Sequence, residues 1–214
     1  VGNNFFSENR MSLNLTSVSG DLSFAGNKKW PNPWYAPGIM GPYTFAPFME
    51  CNHGIVSLDH SVSGSLVINS ERTDFTGGRG YIEKDWGHSF PSAYIWMQSN
   101  HFASQGISFK ASVARIPWLT GNFTGFISGL LIDGRLFPFT EYGGSRLTSL
   151  EVTGKRVEIT FRNRRHTLSV STPRDEATPL ASPIKGFMGG RIEESMTSVI
   201  SLMLSETSSG RIIF

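Results

Sequence analysis

Residues 78–102, GRGYIEKDWGHSFPSAYIWMQSNHF, gather two acids, a lysine, two histidines, two tryptophans and two tyrosines. A strand over residues 80–86 puts Tyr81, Glu83 and Asp85 on one face and Ile82, Lys84 and Trp86 on the other. Gly87 interrupts it and Pro91 marks a connection. Residues 94–102 then resume, with Tyr94, Trp96, Gln98, Asn100 and Phe102 on one face and Ile95, Met97, Ser99 and His101 on the other. A strand face that mixes carboxylate, amide and aromatic groups is no plain oily core. It suits a ligand cavity with a few placed polar groups.

The rest of the chain supplies the elements that hold this stretch. Segments such as MSLNLTSVSGDLSF alternate apolar and polar residues with period two. GIVSLDHSVSGSLVINS reads as two strands around a turn at Ser63-Gly64, and GISFKASVARIPWL, FTGFISGLLIDGRLFPF, LTSLEVTGKRVEITFRNRRHTLSVST and MTSVISLMLSE continue the pattern. Two segments break it. KKWPNPWYAPGIMGPYTFAPF carries five prolines and reads as a long aromatic loop (28–48), and STPRDEATPLASPIKGFMGG reads as a second loop. The class expected is all-β.

Composition agrees and excludes several functions. Of 214 residues 12% are aromatic, 17% are charged and 23 are glycine, which favours strands and turns over helices. A net charge of +2 implies no nucleic-acid partner. The single cysteine, Cys51, excludes an internal disulfide and fits a reducing compartment. No run approaches a spanning helix, so a cytoplasmic location is expected, with peripheral membrane contact as the alternative that the basic RNRRH turn raises. No nucleophile elbow, P-loop or dinucleotide fingerprint occurs, and the histidines fall in no metal-ligand spacing, so neither cofactor nor metal is expected. The chain begins at Val1 inside strand-like sequence, which suggests that an N-terminal portion is missing.

GGRGYIEKDWGHSFPSAYIWMQSNHF resembles the signature of the tocopherol cyclase family, in particular its shorter bacterial members. PGIMGPYTFAPFMECNHGIVSLDHSVSGSL upstream, and GLLIDGRLFPFTEYGG and PIKGFMGGRIEESM downstream, are similar to its other blocks. The resemblance implies two lipocalin-like antiparallel β-barrels packed side by side, related to hydroxyneurosporene synthase and AttH-like proteins. It implies that about the first third of a full-length member is absent. Residues 1–90 would then be the remainder of an incomplete first barrel and 91–214 the second.

The chemistry it implies is acid-catalysed cyclisation, or hydration, of a prenylated or otherwise lipophilic alkene without a cofactor. A proton adds to the prenyl double bond, and a phenol or water oxygen captures the tertiary cation. On this reading Asp85 is the acid, its pKa raised by enclosure among Trp86, Trp96 and Tyr81. Glu50, His53, His88 and His101 are candidates for the partner that moves the phenol proton, and the choice among them stays open. A small hydroxyl residue is expected at position 88, which weakens His88. Tyr81, Trp86, Tyr94, Trp96, Gln98 and His101 are the expected substrate contacts. Each also has a purely structural reading. Asp85 can anchor the strand end by accepting backbone N–H groups, in which case the acid is to be sought at Glu50, Glu83 or Glu141; Glu83 can pair with a cation, and Lys84 can be a solvated charge. A non-catalytic calycin-like binding protein, or two barrels that merely pack, would use the same residues differently.

Overall fold

The computed structural model describes residues 2–47, 49–118 and 121–214. The regular secondary structure of the described chain is all strand except for one short 3-10 turn, Gly41–Phe45. No helix among the described residues is long and apolar enough to cross a membrane.

The strands form antiparallel sheets. In the first, β1 (Phe5–Phe6), β2 (Arg10–Asn14), β3 (Val18–Ala25), β4 (Cys51–Ile68) and β5 (Glu71–Asp74) are neighbours in that order, and β6 (Gly78–Gly87) also pairs with β4. The second runs in the order β10 (Arg135–Thr140), β9 (Gly121–Ile132), β8 (Ile107–Trp118), β7 (Tyr94–Ser99). The third runs β11 (Arg146–Val152), β12 (Arg156–Arg162), β13 (His166–Pro173), β16 (Ser201–Glu206). A two-stranded ribbon joins β14 (Thr178–Ile184) to β15 (Phe187–Glu194). The expectation of an all-β, antiparallel protein is met. Among the described residues these pairings make open sheets, none of which closes into a barrel.

Alternation explains the layering. Ile107, Phe109, Ala111 and Val113 of β8, with Met97, Phe126, Leu130, Phe137 and Phe139, pack against Val157, Ile159, Phe161, Leu168, Val170 and Leu204 of the third sheet. The opposite face of the second sheet is covered too. Leu131, Ile127 and Leu136 meet Leu58 and Ile55 of β4, Tyr81 of β6, and Trp30 and Ile39 of the proline-rich loop. Residues 107–111 and 128–131 are therefore buried on both faces of the sheet, and Ser108 donates to the Leu58 carbonyl at 2.6 Å across the gap.

Two expectations about turns are corrected. Residues 54–70 are not two strands around Ser63-Gly64, because β4 runs unbroken to Ile68 and the chain reverses at Asn69-Ser70, with φ of 51° and 73°. Gly64 instead sits mid-strand at φ 115°, where a Cβ would lie 2.3 Å from the Asp21 carbonyl oxygen of β3. The second expected loop is the β14–β15 hairpin, turning at Lys185-Gly186 with φ of 49° and 84°. Its prolines are tolerated because a two-stranded ribbon has an open edge for each missing N–H, and the ladder shifts register between Ser182 and Ile184, at Pro183.

The proline-rich segment is a loop as expected, although Phe48 lies outside the described residues. Lys28 exchanges backbone hydrogen bonds with Asp59 and Leu58 of β4 at 2.9 and 2.7 Å, Tyr142 donates to the Ile39 carbonyl at 2.9 Å, and a Cβ on Gly41, whose φ is 54°, would lie 2.6 Å from the Tyr142 ring.

Phe161 is fully buried where the second and third sheets meet, 5.3 Å from the Phe126 ring by centroids. Phe161→Ala is expected to cost about 3–5 kcal/mol. Denaturant unfolding of the two proteins checks this, and a loss below 1 kcal/mol would mean the two sheets do not share a core.

Candidate functional site

The antiparallel ladder of β4 and β6 sets the site. His53 is paired with Asp85 and Ile55 with Glu83. Side chains of Cys51, His53, Glu83 and Asp85 therefore share a face, which looks across at the second sheet. Between them lies a cavity of about 210 Å³. Trp96, Ser112, Ala114, Gly125 and Ile127 wall it from β7, β8 and β9. Met40 and Tyr43 of the proline-rich loop, Phe90 and Pro91 of the β6–β7 connection, and Glu141 and Glu194 complete much of the rest.

The polar groups on the β4–β6 side form a connected cluster. His53 Nδ1 is hydrogen-bonded to Asp85 Oδ1, and His53 Nε2 lies 3.6 Å from Glu83 Oε2, beyond hydrogen-bonding distance. Tyr81 donates its hydroxyl to Glu83 Oε2, and Trp96 Nε1 donates to Glu83 Oε1 at 2.7 Å. The His53 and Glu83 side chains are nearly enclosed, at 11% and 14% exposure, whereas Asp85 is 32% exposed. Burial, then the Glu83 carboxylate, pushes the Tyr81 phenol well above its ordinary range. Burial likewise pushes the Cys51 thiol up to about 11 and the Tyr94 phenol up to about 12. Cys51 is thus a neutral thiol and no nucleophile. One nitrogen and two carboxylate oxygens, all within 4.8 Å of one another, are also a set that a divalent cation can use.

The structure sorts the residues expected from sequence. Asp85, His53, Tyr94 and Trp96 line the cavity together, and Tyr81 reaches it through Glu83. Glu83, read from sequence as a structural acid, is the carboxylate that the aromatic donors hold. Asp85 lines the cavity with Phe90, Tyr94 and Trp96, and its Oδ1 is hydrogen-bonded to His53. Trp86 is corrected: it lies on the opposite strand face, exposed, with Lys84 4.9 Å over its ring. Glu50 does not line the cavity; its backbone carbonyl accepts from His88 N at 2.9 Å and Ser89 N at 3.3 Å, closing the turn after β6. Gln98 and His101 lie outside the lining as well, Gln98 with a buried amide nitrogen that has no partner and His101 exposed.

Sequence reasoning missed Lys110. It is fully buried in the middle of β8, cross-strand from Gln98, and Nζ has no hydrogen-bond partner. Burial pulls its pKa down to about 8, against the attraction of Glu83, Asp85 and Cys51. Lys110 is thus the buried countercharge of the carboxylates. An alternating lysine in ISFKASV looks like any solvated strand position, and nothing local says that both faces of the sheet are covered.

Comparison with known proteins matches residues 22–214 to the family described as tocopherol cyclase-like. The chain belongs to the tocopherol cyclase-like family. Curated relatives include the chloroplastic tocopherol cyclase of Zea mays, 25% identical over 142 residues that cover 64% of this chain and 30% of that protein. The probable chloroplastic tocopherol cyclase of Oryza sativa subsp. japonica is 24% identical over the same shares. The match thus spans less than a third of these relatives' length. Within this tocopherol cyclase-like chain, the family match takes in the proline-rich loop, the His53–Asp85 ladder and Lys110 alike.

Lys110 generates a test. Its folded pKa, about 8, lies below the unfolded value of 10.5. The unfolded state therefore binds more protons between those values, so Lys110 makes stability rise with pH there. Relative to Lys110→Met, the wild type is expected to gain on the order of 3 kcal/mol between pH 8 and pH 10.5. Parallel melting curves across that range check it, and a constant difference would mean that Lys110 is solvated.

Proposed function

We propose that this protein carries out acid–base cyclisation, or hydration, of a lipophilic alkene whose polar head group sits in the cavity beside His53. The supporting observation is the pairing of a mainly apolar cavity with a connected Asp85–His53–Glu83 cluster at its wall, in which His53 and Glu83 are nearly enclosed. A cavity of about 150 Å³ takes a benzene ring, so 210 Å³ suits an aromatic head group and the first part of its side chain, with the remaining chain left outside. A prenylated quinol has that shape. Family membership and the printed activity of the Zea mays relative support the same class of reaction.

The geometry supports a defined role for the dyad. Asp85 accepts from His53 Nδ1, which fixes the tautomer and leaves Nε2 as an acceptor. His53 then takes the proton of the attacking phenol or water oxygen as the C–O bond forms, and Asp85 steadies the imidazolium. Glu83, held by Tyr81 and Trp96, and Lys110 keep the surrounding charge balanced. Trp96 and Tyr94 offer ring faces to the head group.

The test uses the full-length protein and a hydroquinone bearing one prenyl group, following binding by tryptophan fluorescence and product by chromatography. Asp85→Asn is expected to bind as the wild type does and to lose turnover by about 10²-fold or more. Unchanged turnover in Asp85→Asn would remove the dyad from the chemistry. Wild-type protein that binds the quinol and never converts it would be a carrier, and the catalytic proposal would fall.

A further inference from the structure

Protonating an alkene needs a neutral acid, and the His53 cluster is a poor place for one. It already holds two carboxylates, a histidine and the Lys110 ammonium, and the oxygens of Glu83 and Asp85 are already engaged by Tyr81, Trp96 and His53.

Two further carboxyls, Glu141 and Glu194, line the same cavity, and the first has the more telling surroundings. Glu141 is the first residue after β10, in a tight turn closed by Gly143 N and Ser145 N on the Thr140 carbonyl, both at 3.1 Å, and by Gly144 N on the Glu141 carbonyl at 3.0 Å. Its neighbour Tyr142 fastens the proline-rich loop through Ile39, and that loop brings Tyr43 to the Glu141 carboxyl. The Tyr43 ring in turn lies 6.3 Å from Phe123 and 6.4 Å from Tyr142, by centroids. One carboxyl oxygen, Oε2, is buried and has no partner. An ionised carboxylate with a buried, unpaired oxygen is costly, whereas a protonated one presents an O–H to whatever fills the cavity.

We propose that Glu141 is the acid that protonates the substrate double bond, with the Tyr43 and Phe123 rings beside the cation that forms. This rests on the reaction proposed above and assigns its missing donor. Burial raises the Glu141 pKa, partly offset by the hydrogen bond from Tyr43, which is the direction the role requires. The Glu141 O–H bond breaks, and the alkene π pair forms a C–H bond at the less substituted carbon. The more substituted carbon becomes the cation, and a lone pair of the phenol or water oxygen closes the C–O bond. The proton lost from that oxygen goes to His53, and its return through solvent restores Glu141. No net proton is consumed, and neither oxidant nor reductant takes part.

The test again uses the full-length protein and the singly prenylated hydroquinone. Glu141→Gln keeps size and hydrogen bonding and is expected to bind the quinol within about threefold of wild type while turnover falls by about 10²-fold or more. Tyr43→Phe removes the bond that lowers the Glu141 pKa, so the alkaline limb of its kcat–pH profile is expected to move to higher pH. Turnover within threefold of wild type in Glu141→Gln overturns the assignment, as does a Tyr43→Phe limb that stays in place or moves down. If Glu141→Gln does not fold, the Tyr43→Phe limb decides. A wild type with no turnover sinks the reaction itself, whereas an active wild type with an equally active Glu141→Gln sinks Glu141 alone.

Discussion

A β-sheet buried on both faces leaves no water for the polar side chains it carries. That constraint governs this molecule. The β7–β10 sheet gives one face to the phenylalanine-rich core shared with the third sheet and the other to β4, β6 and the proline-rich loop. Every polar group on the second face must be satisfied across the gap, remain an orphan, or wait for a ligand. Ser108 is satisfied by Leu58, and Trp96 by Glu83. Lys110 is balanced by the carboxylates of β6 without a hydrogen bond of its own. His53 Nε2 and Glu141 Oε2 are left free, and both residues line the cavity.

The same layering explains why chemistry concentrates there. The gap is apolar enough to raise the Cys51, Tyr94 and Glu141 pKa values through burial, yet it admits charge where charge is paired. Anionic groups from one ladder meet a cation from the facing sheet. The proline-rich loop, held by Tyr142 and by the close approach of Gly41, closes the space from the side and contributes Tyr43. Scaffold and site are therefore one arrangement, and loosening the Tyr142 contact would disturb both.

Much of this was legible in period-two alternation. It places Tyr81, Glu83 and Asp85 on one face and Trp96 with Tyr94 on the facing strand, as found. The same alternation puts Trp86 on the far side, so counting it as a substrate contact ignored the pattern's own result. Alternation says which residues share a face but not what covers that face. Lys110 and Glu141 therefore gave no local signal of burial, and the donors that Glu83 finds in Tyr81 and Trp96 were invisible. The misplaced turn at Ser63-Gly64 has another cause. A glycine in a strand marks either a reversal or a close backbone approach, and the Asp21 carbonyl that decides the matter is 43 positions earlier in the chain. Lys185-Gly186 was the converse error, a hairpin turn read as part of a loop because prolines flank it.

The ligand site proposed above is the space between the β4–β6 ladder and the second sheet, shaped for a lipophilic molecule with a ring head group. Ala114 lines that space from β8, and Ala114→Phe would occupy part of it while leaving every charged lining residue in place. The most direct measurement is the binding stoichiometry of a singly prenylated hydroquinone to wild type and to Ala114→Phe, by titration calorimetry, with circular dichroism to show that both are folded. Wild type is expected to bind one molecule per chain saturably, and Ala114→Phe to lose at least about tenfold in affinity. Equal binding by both folded proteins would place the ligand elsewhere and contradict the proposed site.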